Sequence, residues 1–482
     1  MLENSEDQIQ ALEYLKEFLK SDKNLMIITG KAGTGKTTLI RQIQDTALED
    51  NWKCIPVGVW GRSVSSLIQL TGIPSLAISK FNRIHEDLKT LDYEYSDFED
   101  WYENNYSRRF QNSFERSAEL IRNLFTEREE INNTLLVVDE ASTLTLAQLE
   151  LAFENIKKSN KNTKILLIGD SSQLPPRSYE NENIELLDLD FYLRDYDGKD
   201  FKVFTKKIEL RTSHRVSHGP LYELADKLRL LTLTNSSGET SRNTIIDEVN
   251  TEEVVAVGKS VFLDIFKKVE DKTEAIYIAS KEEVSEANKE LRKVYLSSEE
   301  KKELNILEEG DLIRSRCNGY FETFVTGDEF VIDKVLEKGQ NFIFAEVTCV
   351  GKTKQFSVSG FRAILQSLRS LFDSNNNMKA LVAIYIPPLI QDQNEIQKWN
   401  YVRRNMMRDW EQLSLSDIKN VDINIVDEVI STTYGYAVTI EHAQGGEWDT
   451  VGISLNADGK KDTPRYWYTA VTRAKKTIYV FP

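Results

Sequence analysis

An α/β fold built on parallel strands, divided between two or more domains, is what this sequence predicts, and three observations carry that reading. A glycine-rich stretch, "GKAGTGKT", sits between the apolar run Leu25 to Thr29 and a helical stretch, giving the order strand, loop, helix. Two further apolar runs, "TLLVVDEAS" and "KILLIGDSSQLPP", end in polar residues, as central parallel strands do at the carboxyl edge of a sheet. At 482 residues the chain is also too long for one ordinary core.

Composition narrows the class without naming a function. A hydrophobic share of 40% and a charged share of 29% describe a globular protein rather than a disordered one. No apolar run approaches the roughly 20 residues of a membrane span. The start, "MLENSEDQIQ", is acidic and polar, unlike a signal or transit peptide, so a cytoplasmic location and no membrane partner are expected. Cys54, Cys317 and Cys349 are far apart and in no paired spacing, which suggests neither a disulfide framework nor a zinc site. His214 and His218 stand one helical turn apart, but no third metal ligand accompanies them. The net charge of −16 argues against coating nucleic acid by bulk electrostatics, while leaving a local groove open.

The front of the chain has the chemistry of a phosphate site. Gly30-Lys31-Ala32-Gly33-Thr34-Gly35-Lys36-Thr37 is a full G-x-x-x-x-G-K-T loop. Its glycines let successive N–H groups turn toward phosphate oxygens, and the following helix N-terminus adds partial positive charge. Lys36 is the candidate for the β and γ phosphates, and the Thr37 hydroxyl for Mg²⁺. Asp139 and Glu140 end the second apolar run. Asp139 is the second candidate for the metal, and Glu140 for accepting the proton of an attacking water. Gln173, just beyond the third run, can contact a γ-phosphate or its water, on a loop stiffened by Pro175 and Pro176. Each of these strand tips has a plain alternative as a solvated turn; their concurrence indicates one ATP site.

Six motifs, "GKAGTGKT", "VVDEAS", "GDSSQLPP", "ELRTSHR", "TIEHAQGGEW" and "YTAVTRAK", occur in the order and rough spacing of superfamily-one helicases. The chain most resembles the branch of the RecD and phage Dda helicases, which moves 5′→3′ on single-stranded DNA. That resemblance implies two RecA-like P-loop NTPase domains, a small helical or hairpin insert in the first, and an SH3-like β-barrel insert in the second. It implies an ATP-dependent DNA helicase that uses ATP and Mg²⁺. It places Gln8 at the adenine, and gives Arg215 and Arg473 the part of arginine fingers from the second domain. A guanidinium donates in a fixed fork to the charge that phosphoryl transfer leaves on the γ-phosphoryl oxygens. Gln444 and Glu447 resemble the motif that touches nucleotide and nucleic acid together. The candidate set is therefore Lys36, Glu140, Gln173, Arg215 and Arg473 for catalysis. Gln8, Gly30, Gly33, Thr34, Gly35, Lys36, Thr37, Thr38 and Glu447 are the set for the nucleotide, and Thr37 and Asp139 for the metal.

The expected order of domains is 1–84 and 134–190 for the first RecA-like domain, interrupted by an accessory insert over 85–133. The second RecA-like domain takes 191–300 and 429–482, around an insertion over 301–428. Strand-like runs of the second domain include "KKIEL", "EAIYIAS", "TVGISL" and "TIYVF". The first insert is acidic and aromatic, then helical; it reads either as a duplex-splitting pin, as the resemblance implies, or as a solvated helical insert. In the second insertion, period-two alternation with glycine turns suits a small β barrel. Its Tyr320 and Phe321 either stack on a base or fill that barrel. "IPPLIQDQNEIQKWNYVRRNMMRDWEQLSL" reads as added helix.

The nucleic-acid-facing motifs depart from the branch. "VGVWGRS" stands where Ala-Pro-Thr is usual, Ala77-Ile78-Ser79 where a Thr-Ile-His cluster is usual, and Glu441 where a histidine is usual. Trp60 and Arg62 are candidates to restore the lost contacts, by base stacking and by phosphate contact, though Trp60 equally suits a core. Thr439 and Gln444 complete the candidates for nucleic acid. Single-stranded DNA is the expected partner. The alternatives are an RNA helicase of the Upf-like branch, or a nucleotide-gated interaction subunit with a protein partner in repair, replication or phage defence.

Overall fold

The computed structural model describes residues 4–73, 75–79, 81–82, 133–159, 162–176, 185–196, 200–213, 219–234, 236–249, 251–269, 274–295, 307–315, 329–349, 352–367, 379–385, 421–425, 428–456 and 463–481. These fall into two compact units. The first holds the described residues up to 82, from 133 to 284 and from 438 onward; the second holds those from 285 to 437. Nearly all of the expected insert over 85–133 lies outside the described residues, as do Arg215, His214, His218, Tyr320, Phe321 and the segment 386–420.

The first unit opens with α1 (Glu6–Lys20), β1 (Leu25–Gly30), α2 (Lys36–Glu49), β2 (Trp52–Gly58), α3 (Gly61–Thr71) and β3 (Leu76–Ala77). It continues with β4 (Asn133–Asp139), α4 (Leu146–Ser159), β5 (Asn162–Gly169) and β6 (Ile208–Leu210). The strands form one parallel sheet in the order β3-β2-β4-β5-β1-β6. Near-continuous burial along β1, β4 and β5 explains why they read as unbroken apolar runs: helices cover both faces of a parallel sheet. Leu15 and Phe18 of α1 pack with Met26, Ile28, Ile43, Leu135 and Leu166 in this core. Lys164 of β5 is buried and donates to the carbonyls of Phe18 (2.5 Å), Ser21 (2.8 Å) and Lys23 (2.7 Å). It thereby serves the orphan carbonyls at the C-terminal end of α1.

Two expected boundaries move. The run "KKIEL", assigned from sequence to the second domain, contains β6, which pairs with β1 at the edge of the first sheet. Three residues with one neighbouring strand carry no pattern that says which sheet they join. After β6 come α5 (Pro220–Leu233), α6 (Gly238–Asp247), β7 (Val254–Ala256), α7 (Lys259–Lys268), β8 (Ala275–Ile278) and α8 (Val284–Tyr295).

The insertion comes next as β9 (Leu312–Ser315), β10 (Glu329–Cys349), β11 (Lys352–Ser367), β12 (Lys379–Tyr385), β13 (Val421–Ile425) and β14 (Glu428–Tyr434). β10 pairs with β11 as well as with β9, so β11-β12-β14-β9-β10 closes on itself, with β13 on the far part of β10. Closure leaves five strands without a free edge. β14 belongs to this sheet, so the insertion runs past the expected limit of 428. A buried bidentate pair fastens its root: Arg292 of α8 donates from Nε and Nη2 to the two oxygens of Asp311, at 2.7 and 2.8 Å. Asp311 also accepts from the Tyr436 hydroxyl and the Glu308 N–H.

The chain re-enters the first unit at β15 (Ala437–Val438), followed by α9 (Ile440–Ala443), β16 (Trp448–Ser454), α10 (Pro464–Val471) and β17 (Ala474–Phe481). The second sheet has the order β15-β8-β16-β17-β7, with β8, β16, β17 and β7 parallel. Its core includes Leu224, Leu228, Ile276, Val451, Trp467 and Ile478. The expected strands "EAIYIAS", "TVGISL" and "TIYVF" are β8, β16 and β17. Among the described residues, no helix is long and apolar enough to cross a membrane.

Asp311→Ala leaves Arg292 buried without its carboxylate, a loss of about 3–5 kcal/mol for a broken buried pair. Amide hydrogen exchange in 312–315 and 329–332 should speed up, with exchange in β1 and β5 unchanged.

Candidate nucleotide site

Parallel alignment places the ends of β1, β4 and β5 on one edge of the first sheet, and the candidate residues lie just beyond those ends. Gly35 takes φ +74° as the residue before α2, the left-handed conformation glycine adopts without cost. Gly30 is forced by space: a Cβ there would stand 2.8 Å from Thr34 Oγ1 and 2.9 Å from Leu210 Cβ. The first turn of α2 has no acidic residue of its own to compete for its amide donors. Lys36 is buried, and its ammonium bridges the Gly30 and Lys31 carbonyls at 2.8 and 2.9 Å, folded back along the loop. Gln8 of α1 is buried too, donating to the Thr34 carbonyl at 3.1 Å while accepting from Ser5 N–H. Thr38 is exposed.

Thr37 Oγ1 donates to Asp139 Oδ2 at 2.9 Å, so the two candidate metal residues meet. A hydroxyl and a carboxylate are the hard oxygen donors that suit Mg²⁺. Burial, and then the charge of Glu140, push the Asp139 carboxyl well above the usual carboxylate range. A site so short of positive charge fits a cation. Glu140 itself sits at φ 55°, uncommon for a side-chain-bearing residue, and its Oε2 is buried without a partner. Gln173 is buried with Oε1 unpaired, and its N–H donates to the Asp170 carbonyl at 3.0 Å. Ser142 Oγ, Ser172 Oγ and Gln444 Nε2 are likewise buried and unpaired. These five atoms on the motifs are available to a ligand.

The second sheet faces this edge with the end of α10. Arg473 is 3% exposed; its Nε donates to the Thr469 carbonyl (2.9 Å), Nη1 to the Gly446 carbonyl (3.2 Å) and Nη2 to Thr472 Oγ1 (3.0 Å). Burial lowers its pKa, and the charges of Glu140 and Asp170 oppose that effect. Glu447 is exposed and Gln444 buried.

Sequence reading missed the contacts that join the two lobes. Lys31 donates to the Tyr222 hydroxyl and, at 3.1 Å, to both oxygens of Asp226, and lies 4.3 Å from the Tyr222 ring centroid. Arg229 of the same helix reaches Glu209 of β6 at 2.8 Å. Tyr468 of α10 touches Ala32 and Asp170. Leu174, beside Gln173, packs against the second core. Tyr468 carried a signal, standing in the same motif as Arg473; Tyr222 and Asp226 carried none.

The candidates for nucleic acid are less complete. Trp60 does not fill a core: it is 40% exposed, and its Nε1 donates to Thr143 Oγ1 at 2.8 Å. Thr143 Oγ1 in turn donates to the Glu140 carbonyl at 3.3 Å. Ser66 of α3, the helix that Trp60 precedes, donates to the Gly445 carbonyl in the second lobe. Thr439 precedes α9 and shares a 2.9 Å hydrogen bond with His442. The Arg62 and Arg215 side chains lie outside what the structure describes.

Residues 3–178 match the AAA domain family, and residues 434–481 the UvrD-like helicase C-terminal domain. No curated protein matches the sequence. Among solved structures, a Pif1 helicase from Candida albicans is similar over 100% of this chain and 94% of its own, at 14% identity and TM-score 0.53. A structure of Pif1 helicases described as two coordinating copies at forked double-stranded DNA matches 100% of this chain and 92% of its own, at 14% identity and TM-score 0.50. At that identity the likeness shows the fold. An AAA domain in front, a UvrD-like helicase C-terminal domain behind and two parallel-sheet lobes are the make-up of a superfamily-one helicase. Within that class the fold is of the Pif1/RecD type.

Gly30→Ala crowds Thr34 and Leu210 and should weaken nucleotide binding about tenfold, in line with the ~1–3 kcal/mol of an overpacked site. Titration with a fluorescent ADP analogue measures it.

Proposed function

We propose that the chain is an ATP-dependent helicase or translocase that moves on single-stranded DNA in the 5′→3′ direction, driven by hydrolysis between its two lobes. One observation carries this reading. The phosphate loop, Asp139 with Glu140, and Gln173 come from one sheet edge, and Tyr468 of α10, the helix that leads into Arg473, touches the phosphate loop and Asp170 from the other lobe.

In this reading the phosphates displace the Gly30 and Lys31 carbonyls from Lys36, and the loop amides with the N-terminus of α2 hold them. Thr37 and Asp139 would hold Mg²⁺, which would supply positive charge against the phosphates. Glu140, with Oε2 unpaired, accepts a proton from the attacking water as its oxygen bonds the γ-phosphorus and the bond to ADP breaks. Gln173 orients that water. Arg473 exchanges its backbone carbonyls for the γ-phosphoryl oxygens as the lobes close, and Arg215 is its proposed companion. Gln8 meets the adenine, and Glu447 the nucleotide from the second lobe. Opening after hydrolysis releases these contacts and lets the lobes step along the strand. Trp60, Arg62, Thr439 and Gln444 are the proposed strand contacts. The hydrogen bonds from Trp60 through Thr143 to Glu140 offer a short route from strand to water. The solved structure of Pif1 helicases at forked DNA supports DNA as the substrate.

Lys36→Ala should abolish hydrolysis. Arg473→Ala should lose hydrolysis by about 10³-fold, as arginine fingers do, while keeping most nucleotide affinity; wild-type turnover would remove its assignment. Trp60→Phe keeps a ring and loses the donor to Thr143, so single-stranded DNA should bind but stimulate hydrolysis several-fold less. Strand displacement on 5′- and 3′-tailed duplexes tests the direction, and stimulation by RNA in place of DNA would turn the reading to the RNA branch. Stimulation by neither would leave a nucleotide-gated interaction subunit.

A further inference from the structure

The hydroxyl of Tyr468 is the point where three parts of the site meet. It is buried, accepts from the Ala32 N–H of the phosphate loop at 3.3 Å, and donates to Asp170 Oδ2 at 2.7 Å. Asp170 shapes the loop of Gln173: its other oxygen accepts the Ser172 N–H at 3.1 Å, and its carbonyl the Gln173 N–H. On the other side, the Tyr468 carbonyl accepts the Thr472 N–H at 3.0 Å, in the turn that ends α10. Thr472 and Thr469 of that turn hold the Arg473 guanidinium. Burial beside Asp170 raises the phenol's pKa well above its ordinary value, which keeps the proton it donates.

We propose that Tyr468 is a positioning residue for ATP hydrolysis, setting Arg473 and Gln173 against the phosphate loop through its hydroxyl. It acts through these residues and takes no part in bond making. A loop N–H and a buried carboxylate oxygen from one lobe both bond one hydroxyl from the other, so these bonds, while made, set the lobe separation at this point. A ring without the hydroxyl fills the same space and loses that setting, leaving Asp170 Oδ2 without this donor. The role rests on the reading of the chain as an ATP-driven motor.

Steady-state hydrolysis in the presence of single-stranded DNA, with melting temperatures, tests it on the full chain. Tyr468→Phe should lower kcat about tenfold with KM for ATP within about twofold, the pattern of a lost transition-state setting rather than lost binding. Asp170→Asn keeps an oxygen for the Tyr468 proton and should stay faster than Asp170→Ala. Tyr468→Phe added to Asp170→Ala should slow it by clearly less than the product of the two single effects, because both remove the bond between Tyr468 and Asp170. The role is overturned if Tyr468→Phe turns over within twofold of wild type, whatever its melting temperature. It is also overturned if KM rises as much as kcat falls, or if Asp170→Asn is as slow as Asp170→Ala. Wild-type protein no faster than the Lys36→Ala baseline would overturn the motor reading and this role with it. A fall in kcat alone, shared by Tyr468→Phe and Asp170→Ala, supports both.

Discussion

The parallel register of β1, β5 and β4 governs the rest of the candidate site. With Leu25 opposite Ile165 and Leu136 opposite the same residue on the other side, the three strands end together, and the loops beyond their ends face the same space. A one-residue slip would turn the inward side chains of a strand to its opposite face. The sheet tolerates no such slip because both faces are buried under helices. The phosphate loop, the acidic pair and the Gln173 loop owe their proximity to this alignment, since sequence separates Thr37 from Asp139 by 102 residues.

Polar groups near that edge are satisfied by the protein where they hold its shape, and unpaired where a ligand would come. Lys36, Gln8 and Asp170 have partners that keep the loops in place. Glu140 Oε2, Gln173 Oε1 and Gln444 Nε2 have none. Leaving buried polar atoms unpaired costs on the order of 1–3 kcal/mol each, which a bound nucleotide and its water can return. Strain at Glu140, held in the left-handed region, belongs to the same pattern of stability given up at the site.

Among the described residues, several polar contacts join the lobes. Lys31 with Asp226, Arg229 with Glu209 and Tyr468 with Asp170 are discrete bonds that break with small movements. Leu174 adds an apolar contact on the loop of Gln173. An interface of this kind suits a cleft that opens and closes, because bonds lost to one another are regained with water or with phosphate.

Local chemistry was readable from the sequence alone. The glycine loop, the strand tips at Asp139 and Asp170 and the parallel α/β class each depend on a few consecutive residues, and their patterns repeat in the structure. What the sequence could not determine depends on partners distant along the chain. β6 joins the first sheet because its neighbour is β1, and β14 joins the inserted barrel because its neighbours are β9 and β12. Trp60 stays at the surface because Thr143 takes its N–H. Tyr468 meets Ala32 across 436 residues. Propensity and periodicity act over a turn or a strand, whereas these choices were made by tertiary packing, which alone brings such residues together.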